Sequence, residues 1–154
     1  TSIIDEAVQT MSHLNRGATE AMNTVGVNAC TDITGFGLLG HLLELCKASK
    51  VSAIIEFNKL PLIQGAFELA QKGFVPGGTK KNLDFVNPDV NFADKISQEA
   101  QYIMADAQTS GGLLISLPKD RVDSLQQLLN DNNSLSNSII GEVHSLKELS
   151  IYIN

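Results

Sequence analysis

One carboxylate and three glycine-bearing turns hold the residue types in this chain that could do chemistry. Asp32 stands three positions before Gly35 in the run Thr31-Asp32-Ile33-Thr34-Gly35-Phe36-Gly37-Leu38-Leu39-Gly40. Gly35, Gly37 and Gly40 have the G-x-G-x-x-G spacing, follow a stretch that reads as a strand and open one that reads as a helix. Glu56 lies 21 residues beyond Gly35. Together these make the pattern of a dinucleotide-binding βαβ unit, with a pyrophosphate on the helix N-terminus and the acidic residue at the ribose. Electrostatics opposes that reading. A helix N-terminus attracts an anion through free N–H groups and the helix dipole, and a carboxylate at Asp32 repels it. A divalent cation between Asp32 and the phosphates removes the conflict, because Mg²⁺ is typically held by one or two carboxylates plus phosphate oxygens. The plain alternative for Asp32 is a side chain that hydrogen-bonds its own turn.

The second turn is Pro76-Gly77-Gly78-Thr79-Lys80-Lys81-Asn82. Consecutive glycines let successive N–H groups point into one concavity, which suits an anion, so Gly77 and Gly78 are candidate phosphate binders beside Thr34 and Gly35. Gly73 and Gly78 have P-loop spacing, but Thr79 stands where that motif requires Lys. The third turn, Asp106-Ala107-Gln108-Thr109-Ser110-Gly111-Gly112, reads as a tight turn before a buried strand. Thr34 is an N-cap candidate for the helix that follows it. Cys30 lies in the first run but has no basic neighbour in sequence to depress its pKa, so it reads as a small buried residue, and Cys46 as core. His41 reads as a surface or satisfied core group, with a ligand-facing role as the alternative. His13 and His144 belong to no constellation.

These turns need elements to position them. Apolar residues at three- and four-residue steps from Ile4 to Val25 predict one helix over about 3–25, opened by a Ser2/Asp5 capping box and ended at Gly26. A strand over 27–31, a helix to about Ala48 and a Val/Ile-rich strand over 51–57 follow. A third helix is expected over 62–72. Periodicity fails from Gly73 to Ala93, which predicts a long functional loop. A helix over 95–104, a strand over 113–117, a helix from Pro118 and closing strands over 138–143 and 150–153 complete the chain. Alternating helices and strands predict one layered α/β or α+β domain.

The 154 residues, 43% hydrophobic and 18% charged, suffice for a packed core without disulfides. The net charge of −6 argues against a nucleic-acid binder. No apolar run is long enough to span a membrane, and the acidic start lacks the basic n-region of a signal peptide. Two cysteines at no metal-ligand spacing predict a reducing, cytoplasmic setting. The start at Thr1 reads as an excised piece of a larger functional unit.

The run from Ala29 to His41, with Val75-Pro76-Gly77-Gly78-Thr79 and Asn82, and Gln108-Thr109-Ser110-Gly111-Gly112-Leu113-Leu114, resembles the selenide, water dikinase (selenophosphate synthetase) family. The resemblance covers nearly the whole chain, to Gly141-Glu142-Val143, departing at Ala107 (Pro expected) and Lys81 (Arg expected). It implies the C-terminal domain of a two-domain enzyme of the aminoimidazole ribonucleotide synthetase superfamily: an α+β fold with a mixed sheet flanked by helices. It implies synthesis of selenophosphate, AMP and phosphate from ATP, selenide and water, with Mg²⁺ as cofactor. The reactive Cys or selenocysteine, the catalytic Lys and most ATP-binding carboxylates then belong to the chain's own N-terminal domain. No catalytic residue is expected in this region, and Asp32 is carried over as a Mg²⁺ ligand at the ATP phosphates. A homodimer is expected for the complete enzyme. The competing readings are a non-catalytic dinucleotide-binding βαβ module and a plain structural domain.

Overall fold

The computed structural model describes residues 2–154. Two helices open the chain, α1 (Ile3–Ser12) and α2 (Arg16–Val25). The capping box forms: Ser2 Oγ accepts from the Asp5 N–H and the Asp5 carboxylate accepts from the Ser2 N–H, both at 3.1 Å. The single helix expected over 3–25 breaks at residues 13–15. The reason is tertiary. Asn15 Nδ2 donates to the Gly111 carbonyl at 2.8 Å, and Leu14, apolar and in phase with the stripe, is left exposed. α1 then leans on the segment before α4, with its Ile3 against Gly65, and buries no residue. α2 turns to pack on α7 and buries Ala21.

β1 (Ala29–Asp32) leads through the first glycine turn to α3 (Gly37–Ser49), and β2 (Val51–Ile55) follows. α4 is short, Ala66–Gln71. The region 73–93 departs from expectation: it holds α5 (Gly77–Val86), a 3₁₀ turn and β3 (Val90–Phe92). The buried face of α5 is Thr79, Leu83 and Val86, at helical spacing, but one of its three positions is polar and the helix starts on two glycines. α6 (Gln98–Ala105) is N-capped by Ser97, whose Oγ accepts from the Ala100 N–H at 3.3 Å. β4 (Leu113–Ser116), α7 (Val122–Asp131), β5 (Gly141–Ser145) and β6 (Ile151–Ile153) complete the fold.

The strands form a four-stranded sheet in the order β3-β6-β2-β5 and a separate ribbon, β1-β4. β6 runs parallel to both neighbours, and β5 is antiparallel to β2, so the sheet is mixed as expected. Helices flank it: α3 packs on β2 and β6 and against α5 and α6. The main core joins Leu39, Leu43 and Cys46 of α3 to Ala53, Ile55, Ile151 and Ile153 of the sheet and to Val86, Met104 and Ala105. A second cluster of Ala21, Leu125 and Leu129 holds α2 to α7. Among the described residues no helix is long and apolar enough to cross a membrane.

Candidate functional site

The three glycine-bearing turns, up to 77 positions apart in sequence, meet in the fold. The β1-β4 ribbon sets Asp32 opposite Leu113, and the Ile33 N–H donates to the Gly112 carbonyl at 2.9 Å, so the first turn leaves the ribbon where the third enters it. The Thr34 carbonyl then accepts from the Gly37 and Gln108 N–H groups, both at 3.0 Å. α5 clips the two together: Asn82 Nδ2 donates to the carbonyls of Gly35 at 2.9 Å and Ala105 at 3.0 Å. Thr79, fully buried, donates its hydroxyl to the Asp106 carboxylate. Gly77 and Gly78 lie one turn ahead of that clip, exposed, at the N-terminus of a ten-residue helix with no side-chain cap. The N-terminal amides of an uncapped helix are available to an anion.

Asp32 is exposed, and its carboxylate makes no salt bridge among the described residues. Thr34 is half-buried, and its hydroxyl lies 3.1 Å from His41 Nε2. Thr34 is not the helix cap: Phe36 occupies that position and makes no side-chain cap bond. His41 is buried, its ring centroid 5.7 Å from that of Phe36 and its Nδ1 3.6 Å from Glu44 Oε2.

The dinucleotide reading fails on topology. A βαβ unit needs its two strands parallel in one sheet. Here, among the described residues, the strand before α3 pairs only with β4, antiparallel, while the strand after it lies in the other sheet between β6 and β5. The motif glycines have other causes. Gly37 has φ +67°, and a Cβ there would stand 2.6 Å from the Ala105 carbonyl carbon. A Cβ on Gly40 would stand 2.6 Å from the Phe36 Cβ. The Glu56 carboxylate accepts from Asn154 Nδ2 at 3.0 Å.

Cys30 is half-buried, and burial, with a smaller contribution from the Asp32 charge, pushes its thiol pKa up. Burial does the same at Cys46. Neither is an activated thiolate. Among the described residues no group of three or more His, Cys, Asp or Glu side chains is placed to hold a metal ion. A cation at Asp32 therefore takes its further ligands from phosphate, from neutral oxygens such as hydroxyls, or from outside these residues. Sequence reasoning passed over Asp106 and the Thr34–His41 contact; the seven-residue separation of Thr34 and His41, from the turn to the second turn of α3, was the available signal.

The chain belongs to the family described as AIR synthase related protein, C-terminal domain, which matches residues 3–154. It is 45% identical over 141 residues to a "Selenide, water dikinase" of Clostridioides difficile, an alignment covering 92% of this chain and 40% of that protein. It is 44% identical over 148 residues to one from Caldanaerobacter subterraneus subsp. tengcongensis, covering 96% and 42%. It is 37% identical over 153 residues to one from Aliarcobacter butzleri, covering 99% and 44%. The chain thus spans about two fifths of the length of these curated relatives. A solved structure titled "Crystal Structure of Hydrogenase Maturation Protein HypE" matches with a TM-score of 0.57 and 18% identity over 90% of this chain and 36% of that one, a likeness of fold.

Proposed function

We propose that this chain is the C-terminal domain of a selenophosphate synthetase, which makes selenophosphate, AMP and phosphate from ATP, selenide and water. The observation that carries the reading is the identity of 37–45% to selenide, water dikinases along nearly the whole chain. The geometry supports a supporting role at the phosphates. Asp32 is an exposed carboxylate at the end of the β1-β4 ribbon, without a salt-bridge partner among the described residues, and fits a Mg²⁺ ion that takes its other ligands from phosphate oxygens and from the chain's own N-terminal domain. Mg²⁺, when bound, neutralises charge on the transferring phosphates. The Gly77 and Gly78 amides at the start of α5 and the exposed Gly35 turn offer N–H groups to the phosphates. The nucleophile comes from the N-terminal domain, since Cys30 is held as a neutral thiol. The complete enzyme is a cytoplasmic homodimer that binds ATP and selenide.

The test is calorimetric titration of the full-length protein and its Asp32→Asn variant with ATP, with and without Mg²⁺, and with NAD. The expected result is no NAD binding, and ATP binding that depends on Mg²⁺ and weakens about tenfold or more in the variant, as for loss of a metal-site partner. Tighter metal-free nucleotide binding by Asp32→Asn would overturn the reading, because it would mean that the carboxylate had been repelling the phosphates. Measured separately, this chain alone should produce no AMP from ATP and selenide.

A further inference from the structure

Thr34 was read above as a phosphate contact. Its surroundings give it a different role. The backbone carbonyl of Thr34 is committed to two N–H donors, Gly37 and Gln108, which fixes the residue in place. Its hydroxyl has one partner, His41 Nε2 at 3.1 Å. On the other side of the ring, Glu44 Oε2 stands 3.6 Å from Nδ1. That is too long for a hydrogen bond, but the negative potential of a carboxylate at that distance favours a proton on Nδ1 over one on Nε2. In that tautomer Nε2 is an acceptor, so the Thr34 O–H donates to it. The hydroxyl then has no proton left for an outside ligand and presents only lone pairs. A phosphate oxygen needs a donor; a cation, or water bound to it, needs an acceptor.

The position agrees. The Ile33 N–H continues the ribbon pairing one residue past Asp32, which holds the start of the following turn at the ribbon end beside Asp32. Thr34 is two residues beyond Asp32.

We infer that Thr34 serves the cation at Asp32 rather than the phosphate, as an oxygen ligand to the metal or to its bound water, and that His41 is the positioning residue that turns its lone pairs outward. The inference rests on the Mg²⁺ reading of Asp32 given above.

Three measurements test it. Long-range ¹H–¹⁵N NMR of the imidazoles in this chain, at a pH where His41 is neutral, should show the His41 proton on Nδ1; a proton on Nε2 overturns the inference. Mn²⁺ titration followed by electron paramagnetic resonance, on the full-length protein with a non-hydrolysable ATP analogue, should show Thr34→Val weakening Mn²⁺ roughly tenfold, the scale of a metal-site partner. Thr34→Ser and His41→Gln, whose side-chain oxygens keep the hydroxyl and its acceptor, should stay within about threefold of wild type on the same scale. Metal-free binding of the analogue should not change in Thr34→Val; if it weakens there while Mn²⁺ affinity holds, Thr34 is a phosphate contact and the inference fails. Asp32→Asn separates the two levels. Weaker Mn²⁺ binding in Asp32→Asn with none in Thr34→Val sinks this inference alone. Unchanged Mn²⁺ binding in Asp32→Asn removes the metal reading and this inference with it. Thermal melting of each variant identifies any that has lost its fold.

Discussion

Cys30 reports on the charge of Asp32 without any ligand bound. Its thiol pKa is raised first by burial and then by the carboxylate two residues away. A raised pKa means a protonated thiol at neutral pH and slow alkylation, because the thiolate is the nucleophile. Asp32→Asn removes the repulsion, lowers the pKa and should speed iodoacetamide labelling of Cys30 severalfold at pH 8. Cys46, raised by burial without that charge, should keep its rate. Peptide mapping separates the two, and an unchanged Cys30 rate would show that the Asp32 charge does not reach the thiol. The glycines of the same turn divide in a similar way. Gly37→Ala meets both a positive φ and the Ala105 carbonyl, and should cost more than about 1 kcal/mol of stability. A Cβ on Gly35 meets nothing within 4 Å, so Gly35→Ala should be close to neutral in denaturant unfolding. The spacing of these glycines was legible in the sequence, but their causes were not. The pattern reads as a phosphate cradle in a βαβ unit, whereas Gly37 and Gly40 are small because neighbouring backbone and side-chain carbons approach them.

At the scale of elements, α5 is where the sequence was hardest to read and where the site is joined. Its first two residues are glycines, its buried stripe includes Thr79, and its last turn runs into Asn87-Pro88, so no hydrophobic period stands out. Thr79 is buried because Asp106 accepts its hydroxyl, a partner 27 residues away that no local pattern announces. The break between α1 and α2 was hidden for the same reason, since Asn15 reaches Gly111 across 96 residues. By contrast, the apolar stripe of α3, the Ser2/Asp5 capping box and the Val/Ile strand β2 follow from local pattern. Asn82 carries the next prediction. Asn82→Ala removes the donor to the Gly35 carbonyl of the first turn and the Ala105 carbonyl at the end of α6, and should cost about 1–3 kcal/mol. Amide exchange should rise at the amides of both glycine turns while the central sheet stays protected. Gly77→Ala and Gly78→Ala should act oppositely. Both sites are open, and alanine in a helix is better than glycine by up to about 1 kcal/mol. These variants should hold or raise the melting temperature of the chain. Both variants keep the backbone N–H, so if phosphate lies against these amides it is the added Cβ that should crowd it and weaken ATP binding by the full-length protein.

At the scale of the whole molecule, the ribbon that carries Asp32 lies between two hydrophobic clusters. Leu114 of β4 packs on the main core, while its neighbours Ile115 and Leu117 pack on the smaller cluster formed with α2 and α7. This alternation is the two-residue period of a strand with both faces covered. The smaller cluster has three buried residues, Ala21, Leu125 and Leu129, supplemented by Asn132 donating to the Gly17 carbonyl at 2.9 Å and Arg121 to the Gly26 carbonyl at 3.2 Å. Fewer buried apolar contacts mean a lower local opening energy, so α2 and α7 should exchange faster than the β2-β6 pair. Leu129→Ala should destabilise that cluster by about 2–5 kcal/mol, the range for a buried leucine. Because β4 forms one wall of the cluster, the loss should extend to the β1-β4 ladder and loosen the amides from Ala29 to Ile33, at the base of Asp32. Leu39→Ala, at the centre of the main core, should instead lower protection everywhere, sheet included. Hydrogen exchange read by mass spectrometry distinguishes the two patterns. Uniform loss of protection in Leu129→Ala would mean that the clusters unfold as one unit, and that the ribbon holding Asp32 is as stable as the sheet behind it.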